Sequence, residues 1–382
     1  MTKLRDICRF QSGGTPSRGT PAYFNGNVPW ITTVALNGDV IDGNQAIEWI
    51  TGEAIAKSAA KIVPPHSVMV GTRVGIGKVA INSVPMSTSQ DIISLIGIDE
   101  NKWDKKFICH LITANKEHLT SQARGATIKG IKIEAIADLV LPEISLTEQA
   151  RISEVIGKVD ALMHMHQQMA MNLEQLIKSR FIELFGDIVL NPFGWEKDYL
   201  GVVCDVRDGT HDSPHYHSTG FPLVTSKNVT GGEIDLTDCS LISEADFNKI
   251  NERSKVNMGD IIMPMIGTVG KPVIVNVEPN FAIKNVSLIK FKDDSRVLNT
   301  FVRSLLQSDY FDDAVLSKVR GGTQKFISLG DIRKLAVIVP PMELQEQFAT
   351  FVKQTDKSKL AVQKGLQELE ILKKSLMQQY FG

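Results

Sequence analysis

Gly71-Thr72-Arg73-Val74-Gly75-Ile76-Gly77-Lys78 comes nearest to a phosphate-binding loop in this chain. The spacing Gly-x-x-x-x-Gly-Lys-Ser/Thr fails, because Gly71 comes one residue too early and Val79 stands where the hydroxyl belongs. A later segment, Gly267-Thr268-Val269-Gly270-Lys271-Pro272, fails further. Both read better as tight β-turns that present a lysine to a phosphate group, with a plain hairpin as the alternative. Asn191-Pro192-Phe193-Gly194 lacks the second proline of the loop with which adenine methylases hold a flipped base, and it reads as a turn. His211, His215 and His217 raise the question of zinc, but no cysteine or second cluster completes four ligands. We expect no metal there and read the segment as a loop whose imidazole, hydroxyl and phenol groups can reach bases or phosphates. No Gly-x-Ser-x-Gly, His-Glu-x-x-His or nuclease carboxylate–lysine set occurs. No catalytic residue is expected.

Four cysteines, Cys8, Cys109, Cys204 and Cys239, lie far apart, which suits buried thiols in a reducing cytoplasm. The first residues carry no basic-then-apolar leader pattern, and no apolar run reaches the roughly 20 residues of a membrane span. Across 382 residues, 42 Lys and Arg balance 43 Asp and Glu. That balance excludes a uniformly basic DNA coat while leaving room for local basic patches.

The elements that would position these residues occur twice. Phe185-Gly186 and Phe381-Gly382 each close a long helical pattern, 196 residues apart. At the same offset Cys8 falls on Cys204, and Arg124-Gly125-x-Thr127-x-Lys129 on Arg320-Gly321-x-Thr323-x-Lys325. In between the offset slips to 193, matching Gly77-Lys78 with Gly270-Lys271. Near the start of the helix it reads as 198, placing Gln149 on Gln347. One domain-plus-helix unit is therefore used twice.

We predict a mixed α/β (α+β) fold: globular domains over 1–148 and 188–343, each around a twisted sheet, and long helices over 149–187 and 344–382. Short helices are expected at Lys105–Leu119 and Val297–Leu316, and Thr147-Glu148-Gln149 should cap the first long helix. Its three-and-four spacing predicts a seam of Ile152, Val155, Val159, Leu162, His166, Met169, Leu173 and Leu176. The second seam is Phe348, Phe351, Val362, Leu366, Leu369, Leu372 and Leu376, with Thr355 and Ser358 at weaker places. Neither helix can bury such a stripe alone, so the two should pair antiparallel about a pseudo-two-fold. Ile152 to Phe185 is 34 residues, a rod of about 51 Å or roughly 15 base pairs of DNA.

At this point the chain resembles the specificity subunit of type I restriction–modification systems, over essentially its whole length. Ser12-Gly13-Gly14-Thr15-Pro16-Ser17 with Tyr23-Phe24 and Val28-Pro29-Trp30-Ile31 is similar to the opening of a target-recognition domain. Asp208-Gly209-Thr210-His211-Asp212-Ser213-Pro214-His215-Tyr216 is similar to another version of it. The stretches from Arg124 to Gln149 and from Arg320 to Gln347 resemble the exit into a spacer helix, and Phe181–Asp187 with Asn191–Trp195 the link between domains.

The resemblance implies a non-catalytic DNA-binding subunit in the cytoplasm. Each recognition domain would read one half of a bipartite, asymmetric site in double-stranded DNA. The paired helices would set the spacer and dock two methylase subunits. Those would use S-adenosylmethionine to methylate adenine at N6, and two restriction subunits, where present, would add ATP- and Mg2+-dependent translocation and cleavage. The chain itself would hold no cofactor. Within this frame Arg73, Lys78, Lys271 and Lys284 are candidates for phosphate or base edges. Arg124, Thr127 and Lys129, with Arg320, Thr323, Gln324 and Lys325, form paired basic loops, whose likeness suits phosphate contact or the fold better than sequence choice. Thr15, Arg18, Thr32 and Thr33 in the first unit, and Thr210, His211, Tyr216, Ser226, Lys227 and Asn228 in the second, are candidate base readers. The rival readings are a self-contained DNA-modifying enzyme, which needs a cofactor loop, and a coiled-coil adaptor with no DNA role.

Overall fold

The computed structural model describes residues 1–38, 40–125, 129–230, 232–266, 269–315, 317 and 326–382. It forms two compact units, Met1–Gln167 with Lys364–Gly382, and Gln168–Gln363. The fold is mixed α/β.

Among the described residues of the first unit the strands are β1 (Arg9–Ser12), β2 (Phe24–Ile31), β3 (Val40–Ile41), β4 (Glu48–Ile50), β5 (Ile62–Val63), β6 (Val68–Gly71), β7 (Val79–Asn82), β8 (Met86–Thr88) and β9 (Ile92–Ile96). They make two sheets, β1-β9-β6-β7-β3 and β4-β2-β8-β5, where one was expected. Strands β6 and β7 are buried throughout because both faces are covered, and the one polar side chain among them, Asn82, is hydrogen-bonded. Val68, Val70, Ile81 and Leu95 pack with Ile108, Leu111 and Ile112 of the Lys105–Ala114 helix. Met69, Ala80 and Ile92 point the other way, onto Ile31 and Met86 of the second sheet.

The second unit repeats the plan with β10 (Glu196–Tyr199), β11 (Asp205–Asp208), β12 (Phe221–Val224), β13 (Val229–Thr230), β14 (Glu233–Ile234), β15 (Ser240–Ile242), β16 (Ile261–Pro264), β17 (Val273–Ile274), β18 (Ala282–Ile283), β19 (Val286–Lys290) and β20 (Ala336–Val339). Its main sheet is β11-β19-β16-β17, beside β15-β12-β18. The expected short helices are each broken, into Lys105–Ala114 and Lys116–Ser121, and into Asn299–Leu305 and Asp309–Ala314.

The long helices span Leu146–Phe185 and Met342–Phe381, 40 residues each. Each unit contains half of both. In the first, Ile152 and Ile156 pack with Met377 and Tyr380, and Lys373 Nζ donates to Asp160 at 2.5 Å. In the second, Lys359 donates to Glu174, Arg180 lies over the Phe351 ring, and Phe181 meets Phe348 at 5.5 Å between centroids. Partner numbers rise on one helix as they fall on the other, so within each unit the halves run antiparallel.

Three details of the helices correct the sequence reading. First, Leu162, Met169 and Leu176 are 40%, 49% and 47% exposed, and Met163, Ala170 and Ile177 take their seam places. Two adjacent three-and-four ladders share Val159, His166 and Leu173, and taking Leu162, Met169 and Leu176 over Met163, Ala170 and Ile177 selects the wrong one. Leu372 is likewise exposed, with Lys373 in the seam, and Lys359 stands there instead of Ser358. Second, Ser145 caps the first helix, its hydroxyl accepting from Glu148 N, in place of Thr147. Third, the counterpart of Gln149 is Gln345, so the offset of 196 holds here too. Gln149 accepts from Asp104 N and donates to Lys102 O and Ile144 O. Gln345 accepts from Leu298 N and donates to Arg296 O and Pro340 O. Both amides are buried and join the start of a long helix to its own domain.

Candidate nucleic-acid interface

In the first unit the candidate residues collect at one end of the five-stranded sheet. Strand β1 ends opposite the start of β9, and Gly71 of β6 pairs with Ile92. The segment after Ser12, the Gln90-Asp91 turn and the β6–β7 hairpin therefore lie side by side. The glycine-rich segment is that hairpin: Gly71 N donates to Lys78 O at 2.8 Å, and Gly75 and Gly77 have φ of 70° and 75°. No room remains for a Cβ at Gly75, where it would fall 2.8 Å from the Lys78 side chain. The strap from Arg124 joins the same end. Arg124 and Gly130 exchange two backbone hydrogen bonds, Ile131 N donates to Thr72 O, and the Arg73 side chain crosses Gly130.

Arg73, Lys78, Arg124 and Lys129 are thus exposed on neighbouring loops, with Lys116, which the sequence reading passed over, packed beside Gly77. Only proximity in the fold reveals Lys116. Arg73 Nη1 lies 3.6 Å from Asp91 Oδ1, too far for a strong pair.

Arg18 is engaged otherwise. It donates to both Glu48 oxygens, and its guanidinium lies over Phe24 and Trp30, at 5.1 and 5.8 Å from the ring centroids. Hydrogen bonding to Glu48 pushes its pKa up. Thr15 and Thr32 are half-buried, whereas Thr33 is 5% exposed and faces the core.

The second unit gathers its own set at the corresponding end. Asp208 pairs with Ser287, and Thr210 bridges to Lys284. His211 Nε2 lies 2.9 Å from Asp208 Oδ2 and Nδ1 lies 3.0 Å from Asn285 Oδ1. These bonds, to Asn285 first and then Asp208, raise the imidazole pKa. Lys284 Nζ donates to Ser213 Oγ at 2.7 Å. Tyr216, Lys227 and Lys271 are exposed, and Ser226 is half-buried.

Asn228 turns inward instead: its Oδ1 accepts from Thr225, its Nδ2 donates to Asp238 O, and the side chain is buried away from any base edge. Thr127, Arg320, Thr323, Gln324 and Lys325 lie outside the described residues. Asn285, absent from the candidates, carries a signal legible only in space. Its φ is 56°, in the left-handed region, and it faces His211 from 74 residues away.

Comparison with known proteins agrees with this duplicated plan. Residues 1–175 and 192–371 match the family model of the type I restriction modification DNA specificity domain. The chain is 25% identical to the type I restriction enzyme MjaIX specificity subunit of Methanocaldococcus jannaschii, over 99% of this chain and 91% of that one. It is 30% identical to the EcoR124I/EcoR124II specificity subunit of Escherichia coli over 42% of this chain and 40% of that one. The crystal structure of the S subunit from M. genitalium superposes with a TM-score of 0.58 at 16% identity, covering 100% of this chain and 95% of that one. A chain from a type I restriction–modification system gives 0.59 at 18% identity, covering 100% and 96%.

Proposed function

The chain belongs to the family of type I restriction–modification DNA specificity subunits, and from that premise we propose that each unit reads one half of a bipartite, asymmetric site in double-stranded DNA. The observation that carries this reading is the cluster of exposed cations on adjacent loops at one end of the first sheet, with exposed Lys271 and half-buried Lys284 at the corresponding end of the second unit. Arg73, Lys78, Arg124 and Lys129, with Lys271 in the second unit, would hold phosphates and set register, since contacts to phosphate carry no sequence information. Thr15, Thr210 and Tyr216 would reach base edges in a groove, whereas both ring nitrogens of His211 are taken by Asp208 and Asn285.

The chain is a non-catalytic subunit. The paired helices would set the distance between half-sites and dock two methylase subunits, which would bring S-adenosylmethionine and methylate adenine at N6. Where restriction subunits are present, two of them would add ATP- and Mg2+-dependent cleavage. The cytoplasm is where such an assembly would meet DNA.

Affinity capture of the tagged full chain from its host, followed by mass spectrometry, tests the assembly. The expected eluate holds an adenine methylase in about twofold excess over the chain. A monodisperse chain with no methylase would sink the docking claim. The same complex should protect a two-part DNA site from nuclease, and protection independent of sequence would remove the reading role.

A further inference from the structure

We propose that Asn285 reads a base in the half-site of the second unit, and that the protonation state of His211 decides which face of the amide it shows. The inference rests on the DNA reading above. It starts from hydrogen-bond roles. Asp208 Oδ2 and Asn285 Oδ1 can only accept, and each lies within 3.0 Å of a different nitrogen of the His211 ring. With the amide oxygen on that side, both ring nitrogens carry hydrogen and the ring is an imidazolium. With Oδ1 turned inward to His211, the Asn285 NH2 group faces away from it.

Loss of the His211 proton removes that arrangement. Asp208 is 7% exposed and paired with Arg253, so it stays an acceptor and keeps Nε2–H. The proton leaves Nδ1, which becomes an acceptor, and the Asn285 amide must rotate to donate to it. The carbonyl oxygen then faces outward. A donor face suits guanine or thymine in the major groove, and an acceptor face suits the amino groups of adenine or cytosine.

The charged groups facing the ring are Asp208 from β11 and Arg253 from the Glu244–Ser254 helix, with Asp212 on its own loop and Lys284 bound to Ser213 beside it. The two segments are held in register. A Cβ on Gly209 would fall 2.4 Å from Ile283 O, and Asn285 N donates to Thr210 O. The first unit provides a control. Ser89 N bonds Ile31 O as Lys284 N bonds Val224 O, and Gly13 N bonds Ile92 O as Gly209 N bonds Val286 O, so the Gln90-Asp91 turn takes the place of Asn285. Thr15, the counterpart of His211, cannot change charge.

The test is selection from randomised duplexes by the full chain assembled with its methylase subunits, at about pH 6 and about pH 9, either side of the imidazole range. At the lower pH one position of one half-site should favour guanine or thymine, and at the higher pH that preference should fall about tenfold. The other half-site should not change. Asn285→Asp should move the same position toward adenine or cytosine, and Asn285→Gly should flatten it. Both residues tolerate the left-handed backbone, so the turn survives. Unchanged preferences in both variants would overturn the inference, as would equal titration of both half-sites. No preference at either half-site in the wild type would sink the DNA reading itself, and this inference with it.

Discussion

Lys78 illustrates how a residue can look catalytic and serve something simpler. Its glycines shape a hairpin whose turn leaves the ammonium exposed, and in the proposed reading it would take a phosphate oxygen. Lys78→Ala should weaken all duplexes alike and reduce the slope of log K against log salt by about 1. An unchanged slope in a salt titration would remove Lys78 from the interface. The thiols lead to a second expectation at this scale. Burial pushes Cys8, Cys109 and Cys204 up to about 12, and Cys239 to about 11. The first three then hold far less thiolate than an exposed thiol would. Mass spectrometry after alkylation near neutral pH should find Cys109 and Cys204 unlabelled until the chain is unfolded. Rapid native labelling would contradict their burial.

The long helices carry their own predictions. Ile177 lies in the seam and Leu176 beside it on the exposed side. Ile177→Gln should cost about 2–3 kcal/mol in denaturant unfolding, whereas Leu176→Gln should stay within about 0.5 kcal/mol. Equal effects would return the seam to Leu176. Gln345 satisfies three backbone groups at the junction of helix and domain. Its replacement by alanine leaves all three unpaired and should cost about 2–4 kcal/mol. Mid-helix Gly365 has a specific neighbour, since a Cβ there would fall 2.8 Å from His166 Nε2. The glycine makes room for the one imidazole in the seam.

At the scale of the molecule, the proposed ruler can be lengthened. One heptad inserted into both long helices at facing positions adds about 10.5 Å, or roughly three base pairs. Selection from duplexes with varied spacers should then move the preferred separation by that amount, with the half-sites themselves unchanged. A fixed separation would show that the helices do not set it. The two half-sites should also mutate independently, because the candidate readers of the two units differ: Thr15 and Gln90 against His211 and Asn285.

Much of this was legible in the chain. Repetition at 196 residues, paired Arg-Gly loops and unbroken helical periodicity exposed the two-unit plan, because composition and spacing report local structure and duplication directly. Membership in the specificity family followed from ordered motifs. Tertiary structure decided what periodicity leaves degenerate. It selected Met163 and Ile177 over Leu162 and Leu176, because a seam is chosen by the partner helix and not by the stripe alone. It paired Arg18 with Glu48 and turned Thr33 and Asn228 inward, since the partners of a polar group are fixed only when distant loops meet. It also brought Asn285 to His211, a contact between loops that no local pattern in the sequence encodes.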